Sequence, residues 1–153
     1  DPFHKFFLAT KSTNMSLFQQ AAELNNQGVI ALIEGDDSFA IESMTKSIKL
    51  MKQELAKCTP DLSCPCIKSN SHSQKRTELR TVEIPDMESS DNNQEVFNQA
   101  IHIPSTGDES DLDIHVYSAA VIFNLALAHH RLGMQGDEVY QQKALKLYNM
   151  VLK

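Results

Sequence analysis

The chain has 153 residues, 41% hydrophobic and 22% charged, with a formal net charge of −6; a single domain of this length buries roughly 68–70% of its unfolded surface. Its lysines and arginines are scattered rather than gathered into a basic face, so nothing is placed to displace counterions from phosphates and a nucleic-acid role is not expected. The longest nearly apolar run, "AAVIFNLALA" from Ala119 to Ala128, is too short to cross a bilayer, so no membrane insertion is expected.

The chain opens "DPFHKFF" and closes on "LYNMVLK". Both ends read as the limits of a fragment, which leaves room for an N-terminal targeting sequence. Three cysteines, an odd count within one short segment, argue against a secreted disulfide scaffold. The expected location is intracellular, with no compartment assigned. The whole chain is read as one domain in three zones.

The first zone, 16–57, is strongly helical. Ser16 followed by Gln19 has the form of a capping box, in which the hydroxyl and the amide each satisfy a free backbone donor. Leu17, Ala21, Leu24, Gly28 and Ala31 recur at spacings of four and three, on one helical face. Gly35 is expected to stop this helix, with Asp36 or Asp37 capping the next. That second helix carries Ile41, Met44, Ile48, Met51 and Leu55 on one face. A connection so short makes the two helices an antiparallel hairpin.

The middle zone, 58–113, changes character. "CTPDLSCPCIKSNSHSQKR" has no helical period and reads as loop. Within the zone, "TELRTVEIP" alternates to place Arg80, Val82 and Ile84 on one face. "VFNQAIHIP" likewise places Phe97, Ile101 and Ile103 on one face around Gln99. An inserted β-ribbon is the expectation for these two stretches.

The third zone, 114–153, is helical again. Val121, Leu125, Ala128 and Leu132 form a face, Gly133 marks an expected stop, and Asp137 can cap a last helix bearing Tyr140, Ala144, Leu147, Tyr148 and Val151. A second helical hairpin results, so the fold class expected is mainly all-α.

Gly28 costs its helix roughly 1 kcal/mol relative to alanine, and close helix packing explains its presence. Aligning Gly35 with Gly133 sets Gly28 opposite Ala126 and Asn26 opposite Asn124. Small residues then recur where the two helices of each hairpin cross, with Ala40 the small partner of Gly28. In these features the chain resembles the tetratricopeptide repeat family, which has a small residue eight positions into its first helix, a glycine at the turn and an alanine early in its second helix. Gly28, Gly35 and Ala40 match in one unit; Leu125, Ala126, Gly133 and Ala144 match in the other, Ala144 after a one-residue slip in "GMQGDE". The proline that usually closes a repeat is missing from both. Repeats of that family lie about 34 residues apart, whereas Gly28 and Ala126 are nearly three times as far apart, so the middle zone must loop out.

The resemblance implies a binding surface and no catalysis. First helices of such repeats line a concave groove that holds a peptide or a partner helix. The corresponding positions here are Asn25, Asn26, Val29 and Leu32, then Phe123, Asn124, Leu127 and His130. Asparagine amides bond an extended backbone in two directions, while Phe123 and Leu127 would receive side chains. Against this stands the reading that Val29, Leu32, Phe123 and Leu127 are core, as helical apolar stripes are by default. The carboxylate clamp of some members of the family is not expected: Asn25 stands at its lysine position and Val29 at one of its asparagines.

Cys58, Cys64, Cys66 and His72 form C-x5-C-x-C-x5-H, a donor set chemically able to hold zinc but without the two-to-four-residue knuckle of structural sites. Reduced cysteines in a loop are the simpler reading, so no cofactor is expected; a metal-binding or redox-regulated protein organised by this cluster is the alternative. His129 and His130 point about 100° apart on a helix and cannot chelate one metal from one face. No nucleophile motif, H-E-x-x-H signature or phosphate-binding glycine loop is present. The expected function is therefore non-enzymatic: a scaffold, an adaptor, or a structural subunit in a larger complex or homo-oligomer, recognising a protein or peptide.

Overall fold

The computed structural model describes residues 15–57, 79–85, 98–104 and 114–152. Four helices dominate them: α1 (Leu17–Glu34), α2 (Asp37–Lys57), α3 (Ile114–Met134) and α4 (Glu138–Val151), with strands β1 (Arg80–Glu83) and β2 (Gln99–His102) between α2 and α3. The α1 start is set by the capping box: Ser16 Oγ accepts from the Gln19 N–H at 3.1 Å, and Gln19 Oε1 accepts from the Ser16 N–H at 3.2 Å. Gly35 ends α1 in the left-handed region at φ 85°, its N–H directed to the Ala31 and Leu32 carbonyls. Of the two candidate caps for α2, Asp36 serves, accepting from the Phe39 N–H at 3.0 Å.

The α1–α2 hairpin closes tightly at Gly28. A Cβ there would lie 2.8 Å from Met44 Cγ and 3.2 Å from the Ala40 carbonyl oxygen, so the glycine allows a helix contact that any side chain would obstruct. Ser47 reinforces the contact, its Oγ donating to the Ala21 carbonyl at 2.7 Å.

The second hairpin departs from expectation at its turn. Gly133 does not stop α3; it lies inside the helix, and the left-handed residue is Gly136, at φ 102°. A Cβ at Gly133 would fall 2.9 Å from the Gln141 backbone nitrogen, so Gly133 is the close-approach glycine of this hairpin and Gly136 its turn glycine. Pairing Gly133 with Gly35 from sequence conflated the two roles, because glycine serves both. Asp137 caps α4 as expected, accepting from the Val139 N–H at 2.9 Å.

Helix α3 packs on both α2 and α4, while α1 meets α3 at few positions. The core runs between the hairpins through Leu32, Met44, Met51, Tyr117, Val121 and Leu127, and Phe18 meets Tyr117 edge-on with ring centres 4.9 Å apart. Arg131 of α3 ties the hairpins together at one end: Nη1 donates to the Leu32 carbonyl at the end of α1, and Nε lies 3.4 Å from Asp37 Oδ1 at the start of α2. The guanidinium adds a second, charged donor to a helix-terminal carbonyl that the Gly35 N–H also reaches, and it sits at the negative end of the α1 dipole.

The expected ribbon is present. Strands β1 and β2 pair antiparallel, with Val82 opposite Ala100 and Thr81 opposite Ile101. Val82 on β1 is half-buried and Ile84, just past the strand, is buried, as their alternation predicts, while Arg80 is exposed. On β2 the inward residue of the ladder is Ala100, fully buried opposite Val82, and not Ile101, which is half-buried. Cross-strand partners share a face, so pairing with β1 selects the even-numbered residues of β2. Ile103, just past the ladder, is fully buried; Phe97 lies outside the described residues.

Candidate functional site: an asparagine clamp on an extended strand

In an antiparallel pair, alternate residues turn both backbone groups toward the partner strand and the residues between turn them away. The Ile84 N–H donates to the Asn98 carbonyl at 2.7 Å, which fixes the phase. Even-numbered residues of β2 bond β1; Ile101 and Ile103 present their N–H and C=O to the opposite side.

Three asparagines meet them there. Asn124 of α3 brackets Ile101: its Oδ1 accepts from the Ile101 N–H at 2.7 Å and its Nδ2 donates to the Ile101 carbonyl at 2.7 Å. Asn26 of α1 brackets Ile103 in the same way, at 3.0 Å from the N–H and 2.7 Å from the carbonyl. Asn25 joins the two. It donates to the Ile101 carbonyl at 3.1 Å and to Asn26 Oδ1 at 3.3 Å, and it accepts from Asn124 Nδ2 at 2.8 Å.

A side-chain amide carries a C=O and an N–H side by side, the same pair that one strand residue displays along its edge. Each bracketing asparagine therefore replaces one residue of a missing neighbour strand. Alternate residues of a strand lie about 6.6 Å apart, and one asparagine from each helix reads one of them, Asn124 of α3 on Ile101 and Asn26 of α1 on Ile103.

Asn25 and Asn124 are fully buried and Asn26 nearly so. Burying an amide is unfavourable unless its hydrogen bonds are made, and here each finds partners. The clamp consists of neutral groups bonded to main chain, so it binds without transferring a proton and without regard to the side chains of the strand it holds.

The expected groove is thus divided. Asn25, Asn26 and Asn124 come together on β2, and Val29, Leu32 and Leu127 are fully buried core. Phe123 and His130 are not part of the clamp. Both turn toward α4, where Phe123 lies 5.7 Å from the Tyr148 ring centre and His130 meets the same ring edge-on at 6.1 Å. His129 is buried and stacked on Tyr140 at 5.5 Å. Burial holds the pKa of both histidines below the usual imidazole value, with Lys143 adding to the effect at His129; burial pushes the Tyr148 phenol up to about 12.

Sequence reading missed the occupant. Ile101 and Ile103 were visible only as strand hydrophobes, and no local signal says that their backbone edge would meet α1 and α3. The Cys58, Cys64, Cys66 and His72 cluster lies outside the described residues, among which no group of three or more His, Cys, Asp or Glu side chains could hold a metal ion. None of the described helices is long and apolar enough to cross a membrane. No protein-family model matches the chain, and no curated protein or solved structure matches it either.

Proposed function

We propose that this chain is a protein–protein interaction module, a scaffold, adaptor or structural subunit, whose first-helix face recognises extended polypeptide through its main chain. The observation that carries the reading is the double bracket, Asn124 on Ile101 and Asn26 on Ile103. It is a backbone-reading device built on two helices of separate hairpins, and its hydrogen bonds to what it holds end on main-chain atoms. The close contact at Gly28 and the packing of α3 on α2 further support a short stack of tetratricopeptide type. No catalytic residue is assigned, and no cofactor is invoked. Val139, Leu145, Met150 and Leu152 are exposed on or just beyond α4, which supports a place in a larger assembly or a homo-oligomer.

The test uses the whole chain and an Asn26→Leu, Asn124→Leu variant matched for helical content by circular dichroism. Proteins captured by the wild type are identified, purified and titrated against both forms. A partner whose affinity falls at least tenfold in the variant, about 1.4 kcal/mol, supports recognition through the clamp. Equal affinity for both forms would remove the clamp from recognition.

A further inference from the structure

We infer that the β1–β2 ribbon is a resident ligand of the clamp, exchangeable for an extended segment of another polypeptide that has a small residue, two tolerant positions and then a branched aliphatic residue. The inference rests on the interaction-module reading and adds to it both a partner chemistry and a state of occupancy.

The partner chemistry follows from what the site holds now. Every hydrogen bond from the three asparagines to β2 and its extension ends on a main-chain atom of Ile101 or Ile103, so those contacts set direction and register only. Selection falls to side chains that are wholly enclosed. Ala100 and Ile103 are each 0% exposed, whereas Gln99 is exposed and Ile101 and His102 are half-buried. A larger residue in place of Ala100, or a charged one in place of Ile103, would have to enter space already filled. The clamp offers no ionised group, so a charged residue at either enclosed position would lose its hydration with nothing in return.

Exchange follows from how the ribbon is held. It is a two-stranded unit of four residues per strand, marginal by itself, and it stays in place through the clamp and a few enclosed side chains. The helices make most of their contacts with one another, since α1 with α2, α2 with α3 and α3 with α4 are the extensive interfaces.

The experiment takes a fluorescein-labelled peptide of residues 98–104, NQAIHIP, and follows its binding by anisotropy to the whole chain and to an Ile103→Asp variant. The substitution disfavours the resident strand and leaves the asparagines in place. With the wild type largely self-occupied, the peptide should bind the variant about tenfold more tightly, because occupancy by the resident scales down the apparent affinity. Adding Asn26→Leu should abolish the gain, as should replacing the alanine of the peptide with glutamate. Hydrogen exchange on the wild type supplies an arm independent of whether the variant folds. The Ile101 and Ile103 amides should exchange about 100-fold faster than those of Leu32 and Leu127, as expected for release of the ribbon alone.

Exchange of all four amides at one rate would overturn the inference, since the ribbon would then leave only on global unfolding. Peptide binding to Ile103→Asp in that case would leave the backbone-reading function standing and sink only the exchange. A well-folded Ile103→Asp chain that ignores the peptide would sink both.

Discussion

Asn124 Nδ2 donates to Asn25 Oδ1 at 2.8 Å across 99 residues of chain, both side chains fully buried. The bond joins the first helices of the two hairpins directly and fixes both amides so that each presents its remaining groups to Ile101.

Removing either partner therefore disturbs more than one bond. Asn124→Ala leaves the N–H of Ile101 without its acceptor and Asn25 Oδ1 without its donor, at about 1–3 kcal/mol for each buried group left unsatisfied. A total loss of about 2–4 kcal/mol in urea unfolding is expected. A double-mutant cycle with Asn25→Ala should give a coupling of about 1 kcal/mol or more; strict additivity would mean that the amides act independently.

At Gly28, helix propensity and packing make opposite forecasts. Alanine would gain about 1 kcal/mol if the site were open. A Cβ 2.8 Å from Met44 Cγ and 3.2 Å from the Ala40 carbonyl must instead push the helices apart. Gly28→Ala should lower stability by about 1–3 kcal/mol. Adding Met44→Ala relieves only the side-chain part of the clash. A melting temperature that rises in Gly28→Ala would refute the close contact.

Arg131 and Asp37 make a third test, with a pH dependence of definite sign. Burial raises the Asp37 pKa, Arg131 lowers it and Asp36 raises it, and burial prevails. A carboxyl whose folded pKa lies above its unfolded value contributes stability below the unfolded value, lost as pH rises through the folded one. Arg131→Ala leaves Asp37 without its nearest cation and the Leu32 carbonyl with the Gly35 N–H alone, for about 3 kcal/mol at neutral pH. The deficit should shrink at pH 3.5, where Asp37 is protonated, and Asp37→Asn should recover part of it at pH 7. A deficit independent of pH would assign the whole effect to the Leu32 bond.

The histidines of α3 predict acid sensitivity. His129 and His130 have folded pKa values lowered mainly by burial, so the unfolded chain takes up their protons first. Their contribution is present above the ordinary imidazole pKa of about 6.5 and declines as pH falls below it toward the folded values. Lys143, on α4 above the Tyr140 ring at 5.0 Å, opposes protonation of His129. Urea midpoints should drop between pH 7.5 and 5.5, and His129→Leu with His130→Leu should flatten that slope. An unchanged slope in the double variant would place the acid sensitivity elsewhere.

Much of the fold is legible along the chain because its causes are local. The Ser16–Gln19 box, the Gly35 stop and the Asp137 cap act over two to five residues, and the helical stripes and strand alternation repeat over one or two turns. Even the close approach at Gly28 could be read, because a glycine inside a strong helix requires a reason and Ala40 lies just across a tight turn. What depended on distance could not be read. Gly133 and Gly136 exchanged roles because the point at which α3 and α4 cross is set by packing, and glycine is compatible with both tasks. The three asparagines stood out as groups able to hold an extended backbone, but nothing near them names the backbone they hold. That choice is made across 77 residues between Asn26 and Ile103, by the juxtaposition of α1 and α3 and by the pairing of β2 with β1. The pairing leaves the odd-numbered edge of β2 facing the asparagines. A hydrogen-bonding edge has no sequence signature, because every residue but proline carries the same N–H and C=O; only the tertiary structure decides which of them meet.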